Sequence, residues 1–210
     1  MFSRIYRDGI WGERTGEQFT SGSGTHDAVA ANTYVEAVNG FLETFGIPPA
    51  VVDLGCGDFA IGRQLCRSSG AYVACDVVPG LIEHHRDRFR DLDVDFLRVD
   101  LVADDLPEAD VAIVRQVFQH LSNDQIAAVL PKLVAYDHVI VTEHVPATTF
   151  VPNADKVAGP DTRLDLRAPS GVVLTAPPFS WPVVAEDTLC EAVADGSVIR
   201  TIHYRPRRGR

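Results

Sequence analysis

The sequence predicts an α/β fold: a doubly wound, mostly parallel sheet with helices on both faces and an antiparallel hairpin at its C-terminal end. Three observations carry this. Residues 50–59 read AVVDLGCGDF, an apolar strand broken at once by Gly55 and Gly57 and followed by the helix-compatible Gln64, Leu65 and Cys66. Near-continuous apolar runs recur at 71–77, 94–99, 111–114 and 138–145, as parallel strands covered on both faces require. Helical patterns separate most of those runs, and two final runs, 188–193 and 198–204, flank Asp195-Gly196-Ser197 as a hairpin would.

Composition sets the outer bounds. A chain of 210 residues can bury one sheet between two helical layers, and 46% hydrophobic against 23% charged residues argues for an ordered domain. A formal net charge of −10 opposes non-specific nucleic-acid binding. The basic tail Arg205, Arg207, Arg208 and Arg210 reads as a solubilising surface. Cys56, Cys66, Cys75 and Cys190 form no C-x-x-C pair, and three fall in expected core elements, so reduced, buried thiols in a cytoplasmic protein are expected. No secretory leader and no run long enough for a membrane span is seen.

Taken in order, residues 1–27 lack a sustained period and carry isolated aromatics, including Tyr6, Trp11 and Phe19. They read either as a disordered leader or as a lid with Tyr6 and Trp11 as substrate walls. Asp27 caps a helix running to about Phe45, with Val29, Ala30, Val38, Phe41 and Leu42 on its apolar face. The glycine-turn strand follows. Asp76 then ends the second strand, 19 positions beyond Gly57, where a carboxylate can accept both hydroxyls of a ribose or cap the next helix. That helix, from Pro79, carries His84, His85, Arg86 and Arg88, a charge run expected to face solvent. Asp100 and Leu101 close the third strand. Glu143 and His144 close the fifth and face opposite ways. From 146 to 182 the chain is rich in proline and irregular, a length that suits a functional loop; Arg163 and Trp181 are its candidate substrate contacts.

Glycine turns of this kind serve two ligand classes. Dinucleotides favour G-x-G-x-x-G, but the third glycine here, Gly62, comes two positions late, and Asp53 and Asp58 flank the turn as poor company for a pyrophosphate. The run D-L-G-C-G-D resembles the glycine-rich motif of class I S-adenosylmethionine-dependent methyltransferases, and Arg115 to Ser122 resembles that family's segment after the fourth strand. The resemblance covers residues 50–145. Five strands and a hairpin match the family's seven-stranded sheet. The organisation expected is a lid and helix over 1–48, a cofactor core over 49–145, and a substrate loop with the hairpin over 146–210.

The resemblance implies S-adenosylmethionine as cofactor, held by Asp53, Gly55, Cys56, Gly57, Asp76, Val77, Asp100, Leu101, Arg115 and Gln116. For Asp100 a turn cap competes with adenine binding. Many family members carry an acidic residue where this chain has Gln116, which removes one candidate base. His120 is the first candidate for a general base and Glu143 and His144 the second, with a purely structural His120 as the competitor. Arg115 orients an anionic substrate or pairs with a carboxylate. No metal is expected. Three functions compete: O-methylation of a small molecule, glycan or natural product, with N-methylation of a small molecule or protein tail as its variant; an NAD-dependent oxidoreductase; and a non-catalytic cofactor-binding subunit. Expected partners are the acceptor and, as an allowance, a second copy of the chain, with neither nucleic acid nor membrane.

Overall fold

A computed structural model of the protein describes residues 1–12, 16–194 and 196–208; Asp195 of the hairpin turn and Arg210 of the basic tail lie outside the described residues. Two short helices, α1 (Phe2–Arg7) and α2 (Ser23–His26), precede α3 (Ala28–Leu42). Five parallel strands follow: β1 (Ala50–Leu54), β2 (Ala71–Asp76), β3 (Asp95–Arg98), β4 (Val111–Arg115) and β5 (His138–Pro146). Helices α4 (Gly62–Leu65), α5 (Pro79–Arg88) and α6 (Asn123–Leu133) punctuate them, and β6 (Val183–Ala194) with β7 (Ser197–Pro206) forms the terminal hairpin.

The strand order is β3-β2-β1-β4-β5-β7-β6. β7 runs antiparallel between β5 and β6. The chain winds outward from β1 through β2 to β3, then returns to pair β4 on the other side of β1. That reversal leaves a crevice beyond the carboxyl ends of β1 and β4, where ligands bind in open α/β sheets.

Alternation along the strands fills two cores. Val52, Leu54, Ala112, Val114, Val139 and Val141 face the α6 stripe of Ile126, Val129, Leu130 and Leu133. Val51, Ala74, Val111, Ile113 and Ile140 face Tyr34, Val38 and Leu42 of α3 and Leu81 and Ile82 of α5. Both faces are therefore dry, as the apolar runs predicted.

Several expectations are corrected. Asp27 caps α3 by accepting from Ala30 N, but the buried stripe is Ala30, Tyr34, Val38 and Leu42, while Val29 is 71% exposed. A 3.6-residue period selects that stripe and leaves Val29 on the opposite side. Residues 2–7 are helical; six residues are too few to show a period, and packing holds them. The hairpin strands are longer than their apolar runs, because the polar outer residues from Val183 onward still pair with β7. Of the four cysteines only Cys75 is buried, and all four are free. No described helix is long and apolar enough to cross a membrane.

Candidate active site

The glycine loop after β1 adopts a conformation that only glycine tolerates well. Gly55 has φ of 90° and Gly57 of 54°. A side chain at Gly55 would run into Val117, and one at Gly57 into the Ser21 hydroxyl. The loop is tied to the end of β2, since Gly55 N and Cys56 N both donate to the Cys75 carbonyl, at 2.9 and 2.8 Å. His85 of α5 supports it from below: Nε2 donates to the Gly57 carbonyl at 2.7 Å. The charge run on α5 does not all face solvent, because His85 is 1% exposed. Burial lowers its pKa, which keeps the ring neutral with its proton on the nitrogen that the carbonyl needs.

Two buried carboxylates flank this loop. Asp76 accepts from Gly57 N at 3.2 Å and Val78 N at 3.0 Å, so it orders the loop and the start of α5 together. Burial raises it to about 6, against the pull of those amides. Asp53, in β1, accepts from the Tyr72 hydroxyl at 3.0 Å. Burial raises it to about 7, opposed by Tyr72 and Arg115 and reinforced by Asp76. Two acids held this high in one crevice favour a cationic ligand.

The N-terminal segment forms a roof. Asp58 accepts from Ser21 N at 2.8 Å and pairs with His26 Nε2 at 2.7 Å, while its own N donates to Ser21 Oγ at 2.9 Å. Across the crevice, Arg115 Nη2 donates to the Gly24 carbonyl at 3.0 Å and Nη1 to Thr25 Oγ1 at 3.2 Å. Residues 20–26 therefore strap the glycine loop to the end of β4. Gln116, next in line, takes φ of 55°, a strained backbone for a non-glycine residue that is typical of ligand sites. Trp11 packs against His120, ring centroids 5.0 Å apart, and Tyr6 meets Trp11 edge-on at 5.2 Å. Beneath the roof lies a cavity of about 700 Å³.

Fourteen of the expected site residues line that cavity: Tyr6, Trp11, Asp53, Gly55, Cys56, Gly57, Asp76, Val77, Asp100, Leu101, Arg115, Gln116, His120 and His144. Asp100 keeps both of its expected roles open, capping a turn through Val102 N at 2.9 Å while it borders the cavity. Three expected residues lie elsewhere. Glu143 is 4% exposed behind the wall and accepts from Phe118 N and Gln119 N at 3.0 and 2.8 Å. Arg163 is 1% exposed and its guanidinium donates to the carbonyls of Ala154, Phe118 and Leu121 and to Asn123 Oδ1. Trp181 is core, edge-on to Tyr204 at 5.7 Å. Arg163 and Trp181 serve the packing of the proline-rich segment, and Glu143 holds the turn after β4, rather than contacting the cavity.

Sequence reasoning missed His26, Tyr34, Asp58's grip on the roof, and His85. For His85 a signal existed: Leu81, Ile82 and His85 share one helical face. His26 gave none, since its partner is 32 residues away.

The histidines of the cavity are poorly basic. Burial pushes His120 down to about 4. Its Nδ1 lies 3.2 Å from the Gly159 carbonyl and so carries the proton, and Gln119 Nε2 approaches its Nε2 at 3.3 Å. His144 is also lowered by burial and pairs with Ser197 Oγ at 2.6 Å. Among the described residues no group of three or more His, Cys, Asp or Glu is placed to hold a metal ion.

Comparisons with known proteins follow this geometry. Residues 52–138 match the family model described as a methyltransferase domain. A search of curated proteins finds no match. Among solved structures, the chain resembles the N-methyltransferase NodS of Bradyrhizobium japonicum WM9 in complex with S-adenosyl-L-homocysteine, with TM-score 0.64, 14% identity, and coverage of 89% of this chain and 91% of that one. It resembles the magnesium protoporphyrin IX methyltransferase of Synechocystis PCC 6803 with bound S-adenosylmethionine, with TM-score 0.57, 16% identity, and coverage of 98% and 89%. The N-terminal domain of EvdMO1, in the presence of S-adenosylhomocysteine and D-fucose, aligns with TM-score 0.59, 15% identity, and coverage of 98% and 96%. The seven-stranded order is the Rossmann-like methyltransferase fold of these solved structures, and the central segment, residues 52–138, is similar to the methyltransferase domain model.

Proposed function

We propose that this chain transfers a methyl group from S-adenosylmethionine to a small-molecule acceptor bound beneath the N-terminal segment. The observation that carries the reading is the convergence of Asp53, the Gly55–Gly57 turn and Asp76 on one cavity at the carboxyl ends of β1 and β2. These residues fit the cofactor. Gly55 and Gly57 let the loop turn tightly against Val117 and Ser21 and border the cavity, Asp76 has oxygens beyond its two amide bonds for ribose hydroxyls, and Asp53 offers a counter-charge to an ammonium. Asp100 and Leu101 are placed for the adenine. When bound, the cofactor supplies an electrophilic methyl on a sulfonium. The chain's own part is to hold the acceptor in line and exclude water, for which Tyr6, Trp11 and His120 form the wall. We read residues 1–48 as roof, 49–145 as cofactor core and 146–210 as support, in one catalytic unit. Four free cysteines support a reducing, cytoplasmic setting.

The direct test is calorimetry with S-adenosylhomocysteine and NAD, followed by an assay for S-adenosylhomocysteine release with candidate acceptors. Binding of NAD alone, or tight cofactor binding with no turnover over a broad panel, overturns the reading.

A hydroxyl acceptor of a glycan or natural product needs a base, and His120 is the one beside the wall. An amine acceptor is the second reading, favoured by the engagement of both His120 ring nitrogens and its pKa near 4. A free-base amine attacks without prior deprotonation. His120→Ala is expected to lower turnover at least ~100-fold, the small end of general-base effects, with cofactor affinity unchanged. The wild-type rate should show no inflection near pH 6.5. Wild-type turnover in the variant removes His120 from the chemistry.

A proton should also move on binding. Asp53 stands in the fold above its unfolded value, so the fold holds the extra proton. Its contribution to stability is full below the unfolded value and is lost as pH rises through about 7. An ammonium beside Asp53 favours the carboxylate and expels that proton. Binding of S-adenosylhomocysteine at pH 6 should release about one proton, and at pH 8 almost none, read from binding heats in buffers of different ionisation enthalpy. Identical heats in every buffer at pH 6 would separate Asp53 from the ligand's charge.

A further inference from the structure

The cavity's charge is confined to one side. Among the described residues, the acidic and basic side chains that line it are Asp53, Asp58, Asp76, Asp100 and Arg115, with histidines beside them. The four carboxylates stand on or just after β1, β2 and β3, and Arg115 spends its Nη atoms on the strap. On the β4–β5 side the lining changes to Ile10, Trp11, His120, His144, Pro160 and Thr162. Burial keeps both of these histidines neutral near pH 7. Lys156, whose charge reaches His120, is not among the lining residues.

That side is also apolar and walled by rings. Trp11 meets Phe2 at 6.1 Å and His120 at 5.0 Å between centroids, and its Nε1 donates to the Pro160 carbonyl at 3.5 Å. The polar groups there are already engaged by protein. Gln119 Oε1 accepts from His144 N at 3.2 Å, and His144 Nε2 pairs with Ser197 Oγ at 2.6 Å. His120 Nδ1 donates to the Gly159 carbonyl at 3.2 Å. Thr162 Oγ1 donates to Asp165 Oδ2 at 3.0 Å and accepts from Leu164 N at 3.2 Å.

These commitments select among acceptors. A polyol buried here would leave most of its hydroxyls without partners, each at a cost in affinity. A carboxylate or phosphate would be desolvated with no lining cation on this side to meet it. A ring with one polar substituent asks for little beyond the walls. We propose that the methyl acceptor is an uncharged aromatic compound with a hydroxyl or amino group as its one polar substituent, its ring laid against Ile10, Trp11 and Pro160. This rests on the methyl-donor reading above, and it sets aside glycan and phosphorylated acceptors. In the transfer, the acceptor's lone pair forms the new bond to the methyl carbon. The electrons of the broken sulfur–carbon bond stay on sulfur, and the acceptor gives one proton to solvent.

The test is calorimetry on the full chain, first with S-adenosylhomocysteine and then, with that nucleoside saturating at pH 7.5, with four probes. 2-Naphthol and 6-aminoquinoline are uncharged aromatics, 2-naphthoate is the anionic counterpart, and N-acetylglucosamine is the polyol. The first two should bind at least about 10-fold more tightly than 2-naphthoate, and N-acetylglucosamine should give no binding heat. Trp11→Ala should weaken 2-naphthol about 10-fold and S-adenosylhomocysteine by no more than about twofold, and Trp11→Phe should recover most of the loss. Ile10→Lys, at a half-exposed position on the same wall, should strengthen 2-naphthoate about threefold. If N-acetylglucosamine or 2-naphthoate binds as tightly as 2-naphthol, if neither uncharged aromatic binds, or if neither wall variant moves its probe, the acceptor class is wrong and the methyl-donor reading stands. Failure of the wild-type chain to bind S-adenosylhomocysteine overturns both.

Discussion

Asp76→Ala is expected to weaken S-adenosylhomocysteine binding by about 2–3 kcal/mol, roughly 30- to 150-fold, because under the proposed function two ribose hydroxyls would lose a charged acceptor in a buried site. The apoprotein should respond differently. Asp76 is 7% exposed, and burial raises it to about 6, so near neutral pH the fold holds a carboxylate it would rather protonate. The sign follows: the fold is favoured by Asp76 fully below the unfolded aspartate value, and that contribution fades as pH rises through about 6. Asp76→Asn removes the charge and keeps an acceptor for Gly57 N or Val78 N. Its apo melting temperature at pH 7.5 should equal or exceed wild type while ligand affinity still falls. That opposition between stability and affinity marks a residue retained for binding. A variant that loses stability and affinity together would return Asp76 to the role of helix cap.

The sequence was most informative where chemistry is local. Gly55 and Gly57 are needed by their own backbone angles, and Asp76 stands at a spacing set by one strand-helix-strand step, so both are readable without partners. Alternation placed Glu143 and His144 on opposite faces of β5, and only His144 borders the cavity. What stayed hidden depends on distant segments. The roof is made by Ser21 and His26 meeting Asp58 and by Gly24 meeting Arg115, contacts spanning 32 to 91 residues of sequence. No local pattern marks such a strap, and residues 2–7 are too short to advertise a helix. His85 was misread because a histidine inside a basic run resembles solvated neighbours, although its spacing from Leu81 and Ile82 pointed inward.

Arg163, expected from the sequence to contact substrate, is instead held by distant backbone, and Arg163→Ala should destabilise the protein by about 3–5 kcal/mol. Its guanidinium reaches Ala154 O at 3.0 Å, Phe118 O at 3.0 Å, Leu121 O at 3.0 Å and Asn123 Oδ1 at 2.8 Å. It thereby fastens the proline-rich segment to the 118–123 turn that carries His120. Its positive charge also faces buried Glu143, whose carboxyl burial raises to about 8 against the pull of Arg163 and the Gln119 and Phe118 amides. Removing the guanidinium strands three carbonyl oxygens and takes away an opposing cation, so Glu143 should hold its proton more firmly still. Melting should fall by about 10 °C at pH 7. Lysine should not rescue it, because one ammonium cannot span four acceptors in a plane. The competing expectation, that Arg163 contacts substrate, makes the opposite forecast: unchanged melting with a raised acceptor KM. Thermal denaturation within about 2 °C of wild type, together with such a KM change, would move Arg163 from the scaffold to the binding wall.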